Sequence, residues 1–302
     1  MRKSTQVFIG LLVNLTAITT AHADGLIGAG HYTPGAANIR DMTMPDQAGF
    51  IYEQYNIHYD SNDLKNKNGD SIGLNTDYEV AAIAPLFMWV TDKNVLGARY
   101  SFYINPSVAA SSVAGEETYG VGDTYVQPLW LGWLNPNYDI NLGLGFYLPT
   151  GEDGLSLDMV TTQVQLSGYY YVMEQAGAFM LSATYEFHGE SDSTGVTAGD
   201  HLTIEYGYSQ YLTQQLEVGL KGYSQWQVQE DDLSNEISNF NQKMGTHLGT
   251  KSEVHGLGVQ VAYWLDPHWN LSFNYMKEYS TQAKFEGEIF SFNITYSPKA
   301  LF

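Results

Sequence analysis

The sequence predicts an all-β fold: a single closed, antiparallel, up-and-down transmembrane β-barrel of about twelve strands, preceded by an N-terminal segment. Three observations predict it. Apolar and polar residues alternate with a period of two along twelve segments. These segments run to about 10–15 residues, whereas strands of soluble proteins average about 5–6. The connections between them are long and short in near-strict alternation, as expected of a barrel with short periplasmic turns and longer outer loops.

The elements follow in chain order. Arg2 and Lys3 precede an apolar stretch from Val7 to Ile18 and the small-residue triplet Ala21-His22-Ala23, the pattern of a cleaved secretory signal over residues 1–23. A spanning helix needs about 20 apolar residues, and this stretch contains Asn14 and Thr16. Cleavage would remove two basic residues and no acidic one, taking the net charge from −20 to −22. Residues 24–49 are punctuated by Gly and Pro. They read either as a periplasmic tail or as a plug folded into the lumen, with His31, Tyr32, Pro34, Met42 and Met44 as plug candidates.

The barrel occupies residues 50–302. Its expected strands are Phe50 to Tyr59, Asp77 to Val90, Leu96 to Ile104, Gly120 to Leu134, Tyr138 to Leu148 and Val160 to Met173 in the first half. Ala178 to Phe187, Leu202 to Leu212, Leu216 to Gln229, Ser252 to Leu265, Trp269 to Tyr279 and Phe285 to Tyr296 complete it. Leu96, Ala98, Tyr100, Phe102 and Ile104 form one stripe, and Tyr138, Ile140, Leu142, Leu144, Phe146 and Leu148 another. Both should face lipid. Closure gives every backbone N–H and C=O a partner, which hydrocarbon cannot. Asp60 to Thr76, Ala109 to Tyr119, Thr150 to Met159, His188 to Gly199, Glu230 to Lys251 and Ser280 to Lys284 are the long connections, and they are acid-rich. Trp89, Trp130, Trp133, Trp264 and Trp269 lie near the short turns, where an interfacial aromatic girdle belongs, although strict alternation turns Trp264 inward. Pro85 and Pro128 fall inside expected strands and call for bulges or kinks.

Composition narrows the function. An excess of acid, 33 Asp+Glu against 13 Lys+Arg, repels a phosphate backbone, so nucleic acid is not an expected partner. With no cysteine there is no disulfide, thiolate metal site or Cys nucleophile.

Three short motifs carry a resemblance: His31-Tyr32-Thr33-Pro34-Gly35, Gly122-Asp123-Thr124-Tyr125-Val126-Gln127-Pro128, and Leu148-Pro149-Thr150-Gly151 at a strand end. The chain resembles the transporter-like outer-membrane family named for the meta-pathway of phenol degradation, over almost all of the mature chain. The resemblance implies an outer-membrane channel for hydrophobic or aromatic compounds. The C-terminus is similar to that of outer-membrane barrels, with Phe290, Phe292, Ile294 and Tyr296 alternating and Phe302 last; Pro298 departs from that pattern.

The residues themselves point to transport rather than catalysis. None of the eight His is followed two residues later by Ser, the pairing of barrel lipases, and Asp231-Asp232 and Asp200-His201 are adjacent residues that point to opposite faces. No cofactor, metal site or catalytic residue is expected; His188 with Glu190, and His247 with His255, read as solvated rim groups. Alternation turns Arg99, Tyr103, Tyr147, Gln163, Gln165, Tyr169, Tyr171, Glu205, Tyr211, Lys221, Tyr223 and Glu278 inward, together with Asp139, Glu217 and Gln225. Tyr rings and amides suit small aromatic solutes. The charges could equally stiffen the wall by pairing. The expectation is a passive channel for small hydrophobic or aromatic compounds, monomeric in outer-membrane lipid and lipopolysaccharide and inserted by the barrel-assembly machinery. A structural or adhesive barrel with acidic loops, and a barrel hydrolase, are the alternatives.

Overall fold

The structure, a computed structural model, describes residues 30–72, 77–113, 115–244 and 249–299. The signal sequence expected over residues 1–23 lies outside them. No described helix is long and apolar enough to cross a membrane; crossing falls to strands.

Among the described residues, fourteen strands form one closed sheet. They are β1 (Gly49–Leu64), β2 (Tyr78–Val95), β3 (Ala98–Asn105), β4 (Val108–Val113), β5 (Glu116–Val121), β6 (Thr124–Leu134) and β7 (Tyr138–Leu148), then β8 (Thr161–Val172), β9 (Gly177–His188), β10 (His201–Tyr211), β11 (Leu216–Gln227), β12 (Glu253–Asp266), β13 (Trp269–Gln282) and β14 (Phe285–Tyr296). One helix, α1 (Asn235–Met244), lies in the connection between β11 and β12. Every pairing is antiparallel, and β1 closes the ring by pairing with both β2 and β14. Two staves are interrupted. β3 and β4 pair with successive halves of β2, while β6 pairs with β3 and β5 with β4, so the fourteen strands make twelve staves.

The interruptions correct one sequence expectation. Residues 109–119, expected as a loop, form most of the β4–β5 hairpin, whose turn places Gly115 at φ 84°. Two strands of six residues, the first rich in Ala and Ser, are too short for a period of two to stand out. The upper half of β2, from Tyr78 to Ile83, supplies the backbone partners that draw this hairpin into the wall. Pro85 sits between the β2 residues that pair with β3 and those that pair with β4, so its missing N–H falls at the break between them. β2 itself does not bulge there against β1. Pro128 does lie in a bulge: the register of β6 shifts against both β3 and β7 around it.

Alternation then places the side chains. Leu166, Leu181, Leu220 and Phe273 stand 46–67% exposed on the outside, a belt that only a nonaqueous surrounding would favour. Phe102 and Ile104 of the first stripe face outward, but Leu96 occupies the turn, at φ 52°, and Ala98 is buried. Trp89 stacks outside on Phe102 at 5.5 Å, and Trp269 packs against Tyr296 at 4.4 Å. Trp264 points inward and donates to the Tyr211 hydroxyl (3.1 Å). Trp130 does not join the girdle: the Pro128 bulge reverses its facing, and it is buried with Met44, Ile51, Leu86, Met88 and Val90.

Candidate functional site

The barrel interior is built around residues 30–48. This segment runs inside the wall from the long-loop end, where His31 stands, to the short-turn end, where Arg40 reaches the β8–β9 turn and the chain enters β1. It has no regular structure of its own, so its backbone polar groups must find partners on the wall. Pro34 is buried, and Gly35 adopts φ 81° with the Tyr223 ring and Met276 directly against it, an approach a side chain would obstruct.

The wall answers with the polar residues that alternation turns inward. Glu186 Oε1 accepts the N–H groups of His31 (3.0 Å) and Tyr32 (2.9 Å). Glu205 accepts Gly35 N–H at 2.7 Å and the Tyr32 hydroxyl. Lys221 Nζ donates to Gly35 O at 2.9 Å and to Ala37 O. Gln260 Oε1 accepts Ile39 N–H (2.6 Å), and Asn141 Oδ1 accepts Met44 N–H (2.9 Å). The Tyr169 hydroxyl donates to Ile39 O (2.6 Å) and accepts Met42 N–H (3.1 Å). Arg40 Nε donates to Glu217 at 2.6 Å, and its guanidinium lies 4.9 Å from the centre of the Tyr211 ring. Asp139 accepts Thr43 Oγ1 (2.7 Å) and the Tyr171 hydroxyl (2.5 Å).

Apolar contacts complete the seat. Ile39 and Met42 pack with Tyr169, Ala178 and Met180. A methyl placed on Gly219 would lie 2.4 Å from Ile39 Cδ1, and one on Gly207 3.1 Å from Ile39 Cγ1, so this glycine pair forms the pocket for Ile39. The Asn38 backbone N–H (2.6 Å) and side-chain amide (3.1 Å) both donate to the Asp41 carboxylate, closing the turn between them.

The inward set therefore divides. Tyr169, Tyr171, Glu205, Tyr211 and Lys221 hold the segment, and Tyr223 packs against it; they do not line an open bore. Glu278 accepts from Tyr59 (3.0 Å), Tyr223 (2.8 Å) and Gly287 N–H (2.6 Å), tying wall to wall. Arg99 lies at the short-turn end beside Thr91, Asp92 and Ala48, away from the others. Tyr103, Tyr147, Gln163 and Gln165 do line free space: a cavity of about 440 Å³ between the segment and one side of the barrel. Its other walls are Tyr55, Tyr125 and Trp130 and the apolar Ile57, Ala82, Ala84, Leu86 and Met88, and it extends to Ser107, Gly122 and Asp123 at the breaks between β3 and β4 and between β5 and β6. His31 stacks on Tyr147 (4.5 Å) and bonds Asp123 (3.0 Å) at its rim. Met42 also borders it, and Met44 closes the short-turn side through its contacts with Met88 and Trp130.

The apolar wall escaped the sequence reading. From Ala81 to Met88 both faces of β2 are apolar, so no alternation marks which residues point inward. The pairing of Tyr55 with Ala84 is the information that decides it. Asp200 and His201 do diverge: Asp200 accepts from Tyr185 (3.1 Å) and Gln229 (3.0 Å), while His201 is buried in the lumen.

A family model described as "Putative MetA-pathway of phenol degradation" matches residues 61–294. No curated protein matches the sequence. Among solved structures, an outer membrane channel from Pseudomonas putida F1 is similar at a TM-score of 0.76, with 12% identity over 86% of this chain and 99% of that one. The β domain of the Bordetella autotransporter Brka gives 0.47, with 11% identity over 83% and 100% of the two chains. The first likeness shows the fold, a closed outer-membrane-type barrel.

Proposed function

We propose, from the premise that the chain belongs to the family described as putative MetA-pathway of phenol degradation, that it is an outer-membrane channel through which small hydrophobic or aromatic molecules pass down their gradient. The cavity carries this reading. Its volume of about 440 Å³ lies within the range of about 300–1,000 Å³ typical of small-molecule sites. Aliphatic side chains of β1 and β2 form one wall, and the rings of Tyr103, Tyr125, Tyr147 and Trp130 form another. A flat apolar ring gains contact on both sides.

The polar groups fix orientation. Tyr103 and Tyr125 both donate to Gln127 Oε1 (2.9 and 2.7 Å), and Gln163 donates to the Tyr125 hydroxyl (3.0 Å). Their hydroxyls are thus held in place by the wall while the ring faces stay available to a solute. The segment over residues 30–48 occupies the rest of the lumen, which makes it the gate of such a channel. No nucleotide loop or coupling motif stands in the sequence, consistent with movement down a gradient. The protein functions as a monomer in lipid and lipopolysaccharide, delivered by the assembly machinery for outer-membrane barrels.

Uptake of a labelled monocyclic aromatic into proteoliposomes tests the reading. Uptake above that of empty vesicles is expected, with reduction in Tyr103→Ala and Tyr147→Ala. Rates equal to those of empty vesicles would reject transport and favour a structural barrel.

A further inference from the structure

Behind the N-terminal segment, at the long-loop end, three ligand-bearing groups converge on one point. Glu186 and His188 project inward from the end of β9, and His201 from the start of β10. One ligand atom from each lies within 4.8 Å of the others. His188 Nε2 and His201 Nδ1 face each other at 3.0 Å. Glu186 is 1% exposed, and while its Oε1 accepts the N–H groups of His31 and Tyr32, its Oε2 has no hydrogen-bond partner among the described residues. A buried carboxylate oxygen without a hydrogen-bond partner is costly, and a cation placed against it would relieve that cost.

The space it faces is defined. A Cβ built on Gly30 would stand 2.7 Å from Glu186 Oε2 and 3.3 Å from His201 Nδ1, so Gly30 leaves open the gap between the two. From these observations we propose that Glu186, His188 and His201 form a binding site for a divalent transition-metal ion of the zinc class, which fastens the N-terminal segment to the wall.

The chemistry selects the metal class. Two imidazole nitrogens and one carboxylate suit zinc, cobalt or nickel, whereas calcium and magnesium want oxygen ligands. Tetrahedral bonds of about 2.0–2.1 Å put ligand atoms about 3.3 Å apart, close to the 3.0 Å already separating the two His nitrogens. The nitrogen pair now shares one proton. On metal binding that proton passes to the other nitrogen of its ring, so both rings stay neutral and both facing nitrogens present lone pairs. Thr161 Oγ1 lies 2.8 Å from His188 Nδ1 and 2.8 Å from His31 Nδ1, orienting the His188 ring from behind and linking it to the segment. The Lys284 ammonium at this end is held by Gln225 Oε1 at 2.9 Å. Through Glu186, whose other oxygen holds His31 and Tyr32, the ion would tighten the gate at its outer end.

The test uses the untagged full chain in detergent, stripped with a chelator and titrated with zinc against a chromophoric indicator. One equivalent bound at a Kd of about 1 μM or tighter is expected, unaffected by millimolar calcium or magnesium. His188→Ala and Gly30→Ala should each weaken it by about 100-fold. Gly30→Ala removes no ligand and fills only the gap, and heat-modified electrophoretic mobility confirms that each variant has a folded barrel. Failure of the folded wild type to bind zinc below 10 μM would overturn the proposal, as would binding unchanged in both variants, which would assign the zinc to other histidines.

Discussion

Replacing Gly219 by Ala tests whether the lumen is closed by a seated segment. The added Cβ would lie 2.4 Å from Ile39 Cδ1 and 3.2 Å from the Tyr208 carbonyl. Apolar carbons rest at about 3.5–4.0 Å, so Ile39 must retreat by more than an ångström from a site in which it is wholly buried. Overpacking of this kind costs about 1–3 kcal/mol. Gly219 lies within β11, where Ala is tolerated better than Gly, and its contact with the Tyr208 carbonyl is far milder than that with Ile39, so most of the cost falls on the seated segment. If the segment leaves as a unit, its unseated population should rise about 5- to 150-fold. The chain has no native cysteine, so a single reporter at Met44→Cys, a buried position at the other end of the seat, reads unseating as the rate of thiol labelling. Gly219→Ala should accelerate labelling by that factor and raise mean conductance in planar bilayers. The control is Ile39→Ala, which removes the clashing atom: in that background Gly219→Ala should have no further effect. Labelling unchanged by Gly219→Ala, or accelerated equally with and without Ile39, would refute the reasoning.

Other outcomes follow from the same contacts. Arg40→Gln removes the charged bond to Glu217 and those to the Gln175 and Ala176 carbonyls; the bond to Glu217 alone is worth about 1.5–3 kcal/mol, so Met44→Cys should again label faster, by at least about tenfold. On the outside, Leu220→Lys places a charge in the apolar belt and should lower barrel stability in lipid by about 2–4 kcal/mol if it sits near the midplane, read by urea titration of folding into vesicles. No change there would mean that this face does not meet hydrocarbon.

Much of the wall was legible in the sequence because a strand permits only two facings and lipid demands that one be apolar. β7 shows this: Asp139 and Asn141 point inward and Tyr138 and Ile140 outward, as alternation requires. The reading failed where backbone geometry breaks the period. At Pro128 the bulge turns Trp130 inward, and in the β4–β5 hairpin the strands are too short to carry a pattern. Inward facing was also read more easily than role. Glu205 and Lys221 face the lumen, but which atoms they meet depends on residues 170 and 186 positions earlier in the chain.

By itself, then, the sequence determined an all-β barrel of twelve staves with long and short connections in alternation, since period, strand length and turn spacing are local quantities. Only the tertiary structure decided that Gly30 to Ala48 fills the lumen, that the apolar face of β2 lines a cavity, and that Glu186, His188 and His201 share one point. Those facts depend on strand register and on the seating of the segment inside the ring, which bring side chains of different strands and loops within hydrogen-bond distance of each other, and no local period records those pairings.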